Sequence, residues 1–150
     1  MIQEVAHGSP LYHRTVAFRE EQLRRPLGLT NSAVDLAEED KQIHIAATDG
    51  QEVLGTVVLK PLSPTLVKLR QMAVAPRLRG SGLGGELVRF AERIAWERGY
   101  ETVEMAARLS ARGFYERLGY RAVGAEFLDV TIPHIMMTKS RTSEPGSLTP

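Results

Sequence analysis

The chain has 150 residues and a mass of 16.6 kDa, and its 43% hydrophobic and 25% charged residues suit one globular domain that buries a core without cross-links. It has no cysteine, which excludes a disulfide framework, a cysteine-based metal site and a thiol nucleophile; a formal net charge of +1 gives no bulk attraction to nucleic acid or to an anionic membrane. His7, His13, His44 and His134 form no helical i, i+4 pair or H-E-x-x-H, so no metal is expected, and without a secretory h-region or an apolar run of about 18 residues the expected setting is cytoplasmic, with no membrane contact.

Residues 2–5 alternate as an edge strand, and Ser9-Pro10 reads as an N-cap followed by proline at the first helical position. Over residues 11–27, Leu11, Val16, Leu23 and Leu27 share roughly one helical face, with Arg14, Glu20, Glu21 and Arg24 outside, until Pro26 and Gly28 end the helix. Residues 30–40 carry Asp35, Glu38, Glu39 and Asp40 without an apolar period, and read as a loop or short helix with a solvated acidic face. Residues 43–48 and 52–59 flank Asp49-Gly50, which predicts a β-hairpin.

After a proline and serine turn at 61–65, residues 67–75 form a third strand. Val67, Leu69, Gln71 and Ala73 lie on one face and Lys68, Arg70, Met72 and Val74 on the other. A basic, glycine-rich loop follows at 76–82. Leu83, Leu87, Phe90, Ala91 and Ile94 then mark a helix that closes at Gly99. A strand at 102–107, a short helix capped by Ser110 and running to Leu118, and strands at 120–123 and 135–138 complete the pattern, with 124–132 between them read as a loop. The order makes a single α/β domain over residues 1–139, with a mixed, mostly antiparallel sheet flanked by helices. A right-handed crossover through the Leu83 helix places 102–107 parallel to 67–75. Residues 140–150, polar and containing Pro145-Gly146, read as a flexible tail.

The run Arg77-Leu78-Arg79-Gly80-Ser81-Gly82-Leu83-Gly84-Gly85 sets two arginines and four glycines between a strand and a helix N-terminus. Unsatisfied N–H groups and the positive end of the helix dipole attract an anion there, and glycine lets the backbone approach a pyrophosphate closely. There is no Gly-Lys pair, so this is not a Walker loop. Gly80, Gly82 and Gly85 formally fit G-x-G-x-x-G, with Glu101 about twenty residues on, but that dinucleotide fingerprint belongs to the first βαβ unit of a doubly wound sheet, and this loop follows an antiparallel run.

Arg79, Gly82 and Gly84, after the strand-to-loop run Met72-Ala73-Val74-Ala75-Pro76, match the signature of the GCN5-related N-acetyltransferase (GNAT) superfamily: Arg or Gln, two residues, Gly, one residue, Gly or Ala. Phe114-Tyr115-Glu116-Arg117-Leu118-Gly119-Tyr120 resembles the family's second motif, a short helix with an aromatic pair followed by Gly and an aromatic. The resemblance runs over about residues 43–138, and Ile132-Pro133-His134-Ile135-Met136-Met137 is similar to the ending of a bacterial subgroup. It implies the acyl-CoA N-acyltransferase fold and an acetyl-CoA-dependent N-acetyltransferase acting on a small-molecule or peptide amine, in a family whose members are often homodimers. The alternative is a non-catalytic CoA-binding or regulatory domain.

The same resemblance implies that Arg79, Gly80, Ser81, Gly82, Leu83 and Gly84 hold the pyrophosphate of acetyl-CoA, and that Met72, Ala73 and Val74 offer main-chain groups to its pantetheine arm. Tyr115 is then the general acid for the departing thiolate, and it also lies against the cofactor. Where many members carry Asn seven residues before this tyrosine, the chain has Arg108. The general base stays open between Glu104 and His134. Without a cysteine or a G-x-S-x-G, direct attack in a ternary complex is expected rather than an acyl-enzyme.

Overall fold

The computed structural model describes residues 1–31 and 36–143. Its elements are β1 (Ile2–Val5), α1 (Pro10–Arg19), β2 (Ile43–Asp49), β3 (Glu52–Pro61), β4 (Leu66–Val74), α2 (Leu83–Glu97), β5 (Thr102–Arg108), α3 (Arg112–Arg117), β6 (Arg121–Asp129) and β7 (Ile132–Ser140). The seven strands form one mixed sheet in the order β1-β2-β3-β4-β5-β7-β6. β4 and β5 are parallel, with Leu66, Val67 and Lys68 opposite Thr102, Val103 and Glu104, as the crossover argument requires. Among the described residues no helix is long and apolar enough to cross a membrane.

The chain packs as two compact units. The first comprises Met1–Lys60 and Leu69–Arg93. Here α1 starts as expected: Ser9 Oγ accepts the Tyr12 N–H at 3.1 Å, and Pro10 lies just inside the helix. The single helix expected to run to residue 27 is instead three segments. α-Helix gives way after Arg19 to a π turn (Glu20–Arg24) and a 3-10 turn (Arg25–Leu27), ended by left-handed Gly28.

The buried stripe of α1 also differs from expectation. It is Tyr12, Thr15 and Arg19, while Leu11 and Val16 are only partly buried against Val5, Tyr12 and Ala46. A polar stripe can face inward here because Tyr12, Thr15 and one Arg19 nitrogen find acceptors, although Arg19 Nε and Nη1 stay buried without a hydrogen-bond partner among the described residues. Thr15 Oγ1 donates back to the Tyr12 carbonyl, Tyr12 Oη donates to Glu39 Oε1 at 2.7 Å, and Arg19 Nη2 donates to both Glu39 oxygens at 2.9 and 2.8 Å. Glu39, placed by sequence on a solvated acidic face, is therefore only 1% exposed. Glu38 and Asp40 are exposed as expected, and Asp35 lies outside the described residues.

β2 and β3 are buried on consecutive residues, from Ile43 to Thr48 and from Gly55 to Leu59, so both of their faces are covered. The hairpin between them closes with Asp49 opposite Glu52, and Gly50 takes φ +60° at the first turn position. Gly55 is required by packing: a Cβ there would lie 2.7 Å from Leu87 Cδ1 and 3.1 Å from the Ala73 carbonyl oxygen.

The second unit comprises Pro61–Lys68 and the chain from Ile94 onward. In β5, Val103, Met105 and Ala107 are buried on one face, and Thr102, Glu104, Ala106 and Arg108 line the other. Ser110 does not cap α3; it sits in a 3-10 turn (Leu109–Ala111), and Ala111 occupies the capping position without a side-chain bond. Residues 124–132, expected as a loop, mostly extend β6 into a hairpin with β7. Asp129 pairs with Ile132 across a turn in which Val130 and Thr131 hold φ +49° and +63°. Ser140 ends β7 and Arg141–Ser143 make a 3-10 turn; the rest of the expected tail lies outside the described residues.

Candidate active site

The basic loop of the first unit is shaped by its backbone. Pro76–Leu78 make a 3-10 turn, Gly80 and Gly82 take φ +83° and +93°, and neither has any atom within 4 Å of where a Cβ would sit. Both glycines are thus needed for conformation, and the space beside them is open to a ligand. The Arg79 N–H is used by the Pro76 carbonyl and the Ser81 N–H by the Leu78 carbonyl, while Leu83 N–H makes a long bond of 3.4 Å to Ser81 Oγ. The N–H groups of Gly80, Gly82, Gly84 and Gly85 have no partner among the described residues. Arg79 is exposed, and Arg77 is held by Glu52. Donors without a partner among the described residues, two in the turn at Gly80 and Gly82 and two in the first turn of a 15-residue helix at Gly84 and Gly85, are the elementary recipe for binding phosphate.

β4 leads into this loop, and one of its residues breaks the expected alternation. Gln71 holds φ +55°, a left-handed conformation that a residue with a Cβ adopts at a cost of about 1 kcal/mol. Its carbonyl accepts from Thr56 Oγ1 at 3.2 Å, which helps to hold it. Met72, Ala73 and Val74 follow directly, Met72 and Val74 half-buried and Ala73 buried. Nothing in the sequence marks Gln71, because glutamine carries no turn signal.

Tyr115, Glu104 and His134 all lie in the second unit, whereas the loop residues and Met72–Val74 lie in the first. Tyr115 is 6% exposed and touches the Phe114 and Tyr120 rings edge-on. Its hydroxyl has no hydrogen-bond partner among the described residues, and burial pushes its pKa up to about 12. The C-terminal turn of α3 is fixed by two N–H groups, of Leu118 and Tyr120, that converge on the Tyr115 carbonyl, and by Lys139 Nζ, which donates to the Leu118 carbonyl at 2.8 Å.

Glu104 and His134 share one face of the β5–β7 ladder. Glu104 is opposite Thr138, and Arg108 is opposite His134. The two candidate bases are therefore four positions apart along the ladder, about 13 Å, too far to serve one nitrogen together. Lys139, which reaches α3, alternates to the face opposite Thr138 and His134. Glu104 also has Lys68 beside it in β4. His134 is 8% exposed, and its Nδ1 lies 2.7 Å from the Ile132 carbonyl. A carbonyl only accepts, so Nδ1 carries the proton and a neutral His134 presents its lone pair on Nε2. Its ring stacks on Phe127, with centroids 5.9 Å apart.

The chain has relatives among known proteins. The family model described as the acetyltransferase (GNAT) family matches residues 10–120. The chain belongs to the GNAT family. Among its curated relatives is a Bacillus subtilis protein named as an acetyltransferase, 36% identical over 67% of each chain. Another Bacillus subtilis protein, named as an N-acetyltransferase, is 31% identical over 67% of this chain and 72% of its own. The GNAT fold extends nearly end to end in solved structures. An N-acetyltransferase from Lactobacillus plantarum superposes with a TM-score of 0.83 at 22% identity, covering 93% of this chain and 97% of that one. An aminoglycoside 6'-N-acetyltransferase in complex with coenzyme A gives 0.78 at 22% identity, covering 97% and 99%.

Proposed function

We propose that this GNAT chain is an acetyl-CoA-dependent N-acetyltransferase that moves an acetyl group directly to a primary amine of a small molecule or peptide. The observation that carries this reading is the open, left-handed Gly80–Gly82 turn leading into α2, where the N–H groups of Gly80, Gly82, Gly84 and Gly85 have no partner among the described residues. The acetyl-CoA pyrophosphate sits on those donors with Arg79 beside it, and Met72, Ala73 and Val74 offer main-chain groups to the pantetheine arm.

For an acceptor amine of ordinary pKa, about 10.4, deprotonation at pH 7 costs about 4.6 kcal/mol, so a base is needed. His134 fits this role better than Glu104, because its tautomer is fixed with Nε2 free, whereas Glu104 has a lysine beside it in register. His134 takes the ammonium proton. The amine then forms its N–C bond to the acetyl carbon and the C–S bond breaks; Tyr115 hydrogen-bonds or protonates the departing sulfur, and the second proton shed by the new amide nitrogen goes to the thiolate or restores Tyr115, leaving the amide and the coenzyme A thiol. With Tyr115 at about 12, full transfer to a thiolate of ordinary pKa, about 8.5, is uphill by about 3.5 units. The hydroxyl is accordingly a hydrogen-bond donor to sulfur first and a proton source second.

The test is calorimetric titration of acetyl-CoA into wild type and Gly82→Ala, paired with thiol release over an amine panel. Micromolar binding by wild type and at least a tenfold loss in the variant are expected, since a Cβ at φ +93° strains the turn that aims the donors. Absence of binding by wild type rejects the reading; binding without turnover on any amine assigns the chain to the non-catalytic alternative.

A further inference from the structure

Arg108, His134 and Phe127 form one row across three strands of the second unit. Arg108 on β5 is directly opposite His134 on β7, and Phe127 on β6 is directly opposite His134 from the other side. Paired residues share a face of the sheet, with Cβ atoms about 5 Å apart. The row thus places a guanidinium, an imidazole and an aromatic ring side by side. Arg108 is exposed and has no ion pair or side-chain hydrogen bond among the described residues, whereas Arg19, Arg77 and Arg112 each have an acid partner. His134 is more than nine-tenths buried, with Nδ1 engaged and Nε2 without a hydrogen-bond partner among the described residues. Phe127 is 38% exposed, a large ring left facing solvent at the edge of the row. The next row, Ala106, Met136 and Val123, has no charged group to compete for a ligand.

We propose that this row selects an acceptor carrying a carboxylate close to its amine: an amino acid with an apolar side chain. The carboxylate takes the fork of Arg108, the amine meets His134 Nε2, and the apolar side chain lies on Phe127. An arginine suits the task because its planar fork matches a carboxylate and its charge does not titrate. Carboxylate and amine on one small molecule are read by neighbouring side chains, which fixes the nitrogen against the base before the acetyl group arrives. Arg108 is a specificity-determining residue here. This inference rests on the acetyltransferase reading above and on His134 as its base.

The experiment compares phenylalanine with phenylalaninamide as acceptors, in wild type, Arg108→Gln and Arg108→Lys, with the KM for acetyl-CoA measured in each. Wild type is expected to favour the free acid by about ten- to hundredfold in kcat/KM, the range of a charge-assisted contact. In Arg108→Gln the acid-to-amide ratio falls towards one, in Arg108→Lys it partly recovers, and the KM for acetyl-CoA moves little in either. Equal use of acid and amide by wild type overturns the inference, as does acetylation of other amines but of neither probe. A Gln variant that raises the KM for acetyl-CoA and keeps the acid-to-amide ratio also overturns it, by assigning Arg108 to the cofactor. Each of these failures leaves acetyl-CoA binding and amine acetylation intact. Failure of the acetyltransferase reading itself would instead appear as absent coenzyme binding or absent turnover on every amine.

Discussion

Tyr115 is 6% exposed, and its hydroxyl has no hydrogen-bond partner among the described residues, which gives a test that separates a catalytic from a structural role. A tyrosine kept for packing alone loses little in Tyr115→Phe, which breaks no hydrogen bond among the described residues and keeps the ring against Phe114 and Tyr120. The variant is expected to melt at or slightly above the wild-type temperature and to bind acetyl-CoA as wild type does. Its kcat should fall by about a hundredfold or more, the contribution of a positioned acid. Thermal melts and steady-state kinetics on one preparation check both halves. At this scale the sequence singles out Tyr115 for this test, through its motif, but gives no sign that Glu39 is buried. Four acidic residues between 35 and 40 look alike on paper, and only the reach of Arg19 and Tyr12 from α1 takes Glu39 into the interior. Such a pair links residues twenty positions apart, and no local pattern encodes it.

Among the elements, legibility followed turn chemistry. The β2–β3 hairpin was visible because Gly50 supplies the positive φ that its two-residue turn demands. The β6–β7 hairpin was not, because the equivalent places hold Val130 and Thr131, β-branched residues that avoid this region. The register shift between Val123 and Phe127, with Gly124 at φ +79°, further blurs the alternation of β6. The same mismatch has a measurable price in stability. Thr131 at φ +63° costs about 1–2 kcal/mol relative to a residue free to adopt it. Thr131→Gly should therefore raise the unfolding free energy by about 1 kcal/mol, part of the relief being lost to the greater freedom of glycine in the unfolded chain. Urea denaturation with an unchanged m-value tests this; a destabilised variant would mean that the turn is held by contacts of the Thr131 side chain.

Across the whole chain, the sheet was largely legible. Hydrophobic runs, the glycine turns and one crossover fix a mixed sheet with β4 and β5 parallel, and they need no knowledge of distant pairs. What stayed hidden is the polar interior of the first unit, and it sets how the fold responds to acid. His44 is 2% exposed, and its Nε2 donates to the Glu39 carbonyl at 2.7 Å. Burial holds its pKa below the ordinary 6.5, the bond to the Glu39 carbonyl and the Glu39 carboxylate oppose this, and the charges of Arg19 and His7 reinforce it. The folded chain therefore keeps His44 neutral at a pH where the unfolded chain protonates it. Below the unfolded pKa the unfolded state binds more protons, so stability is fully present above pH 6.5 and falls as the pH drops towards the depressed folded pKa. The contribution of this one group to the slope is at most about 1.4 kcal/mol per pH unit. Between pH 7.5 and 5.5 the urea midpoint of wild type should decline, and in His44→Gln, whose amide can still donate to the Glu39 carbonyl but cannot titrate, the decline should be shallower. An equal slope in both proteins would place the acid sensitivity on other groups and remove His44 from the account.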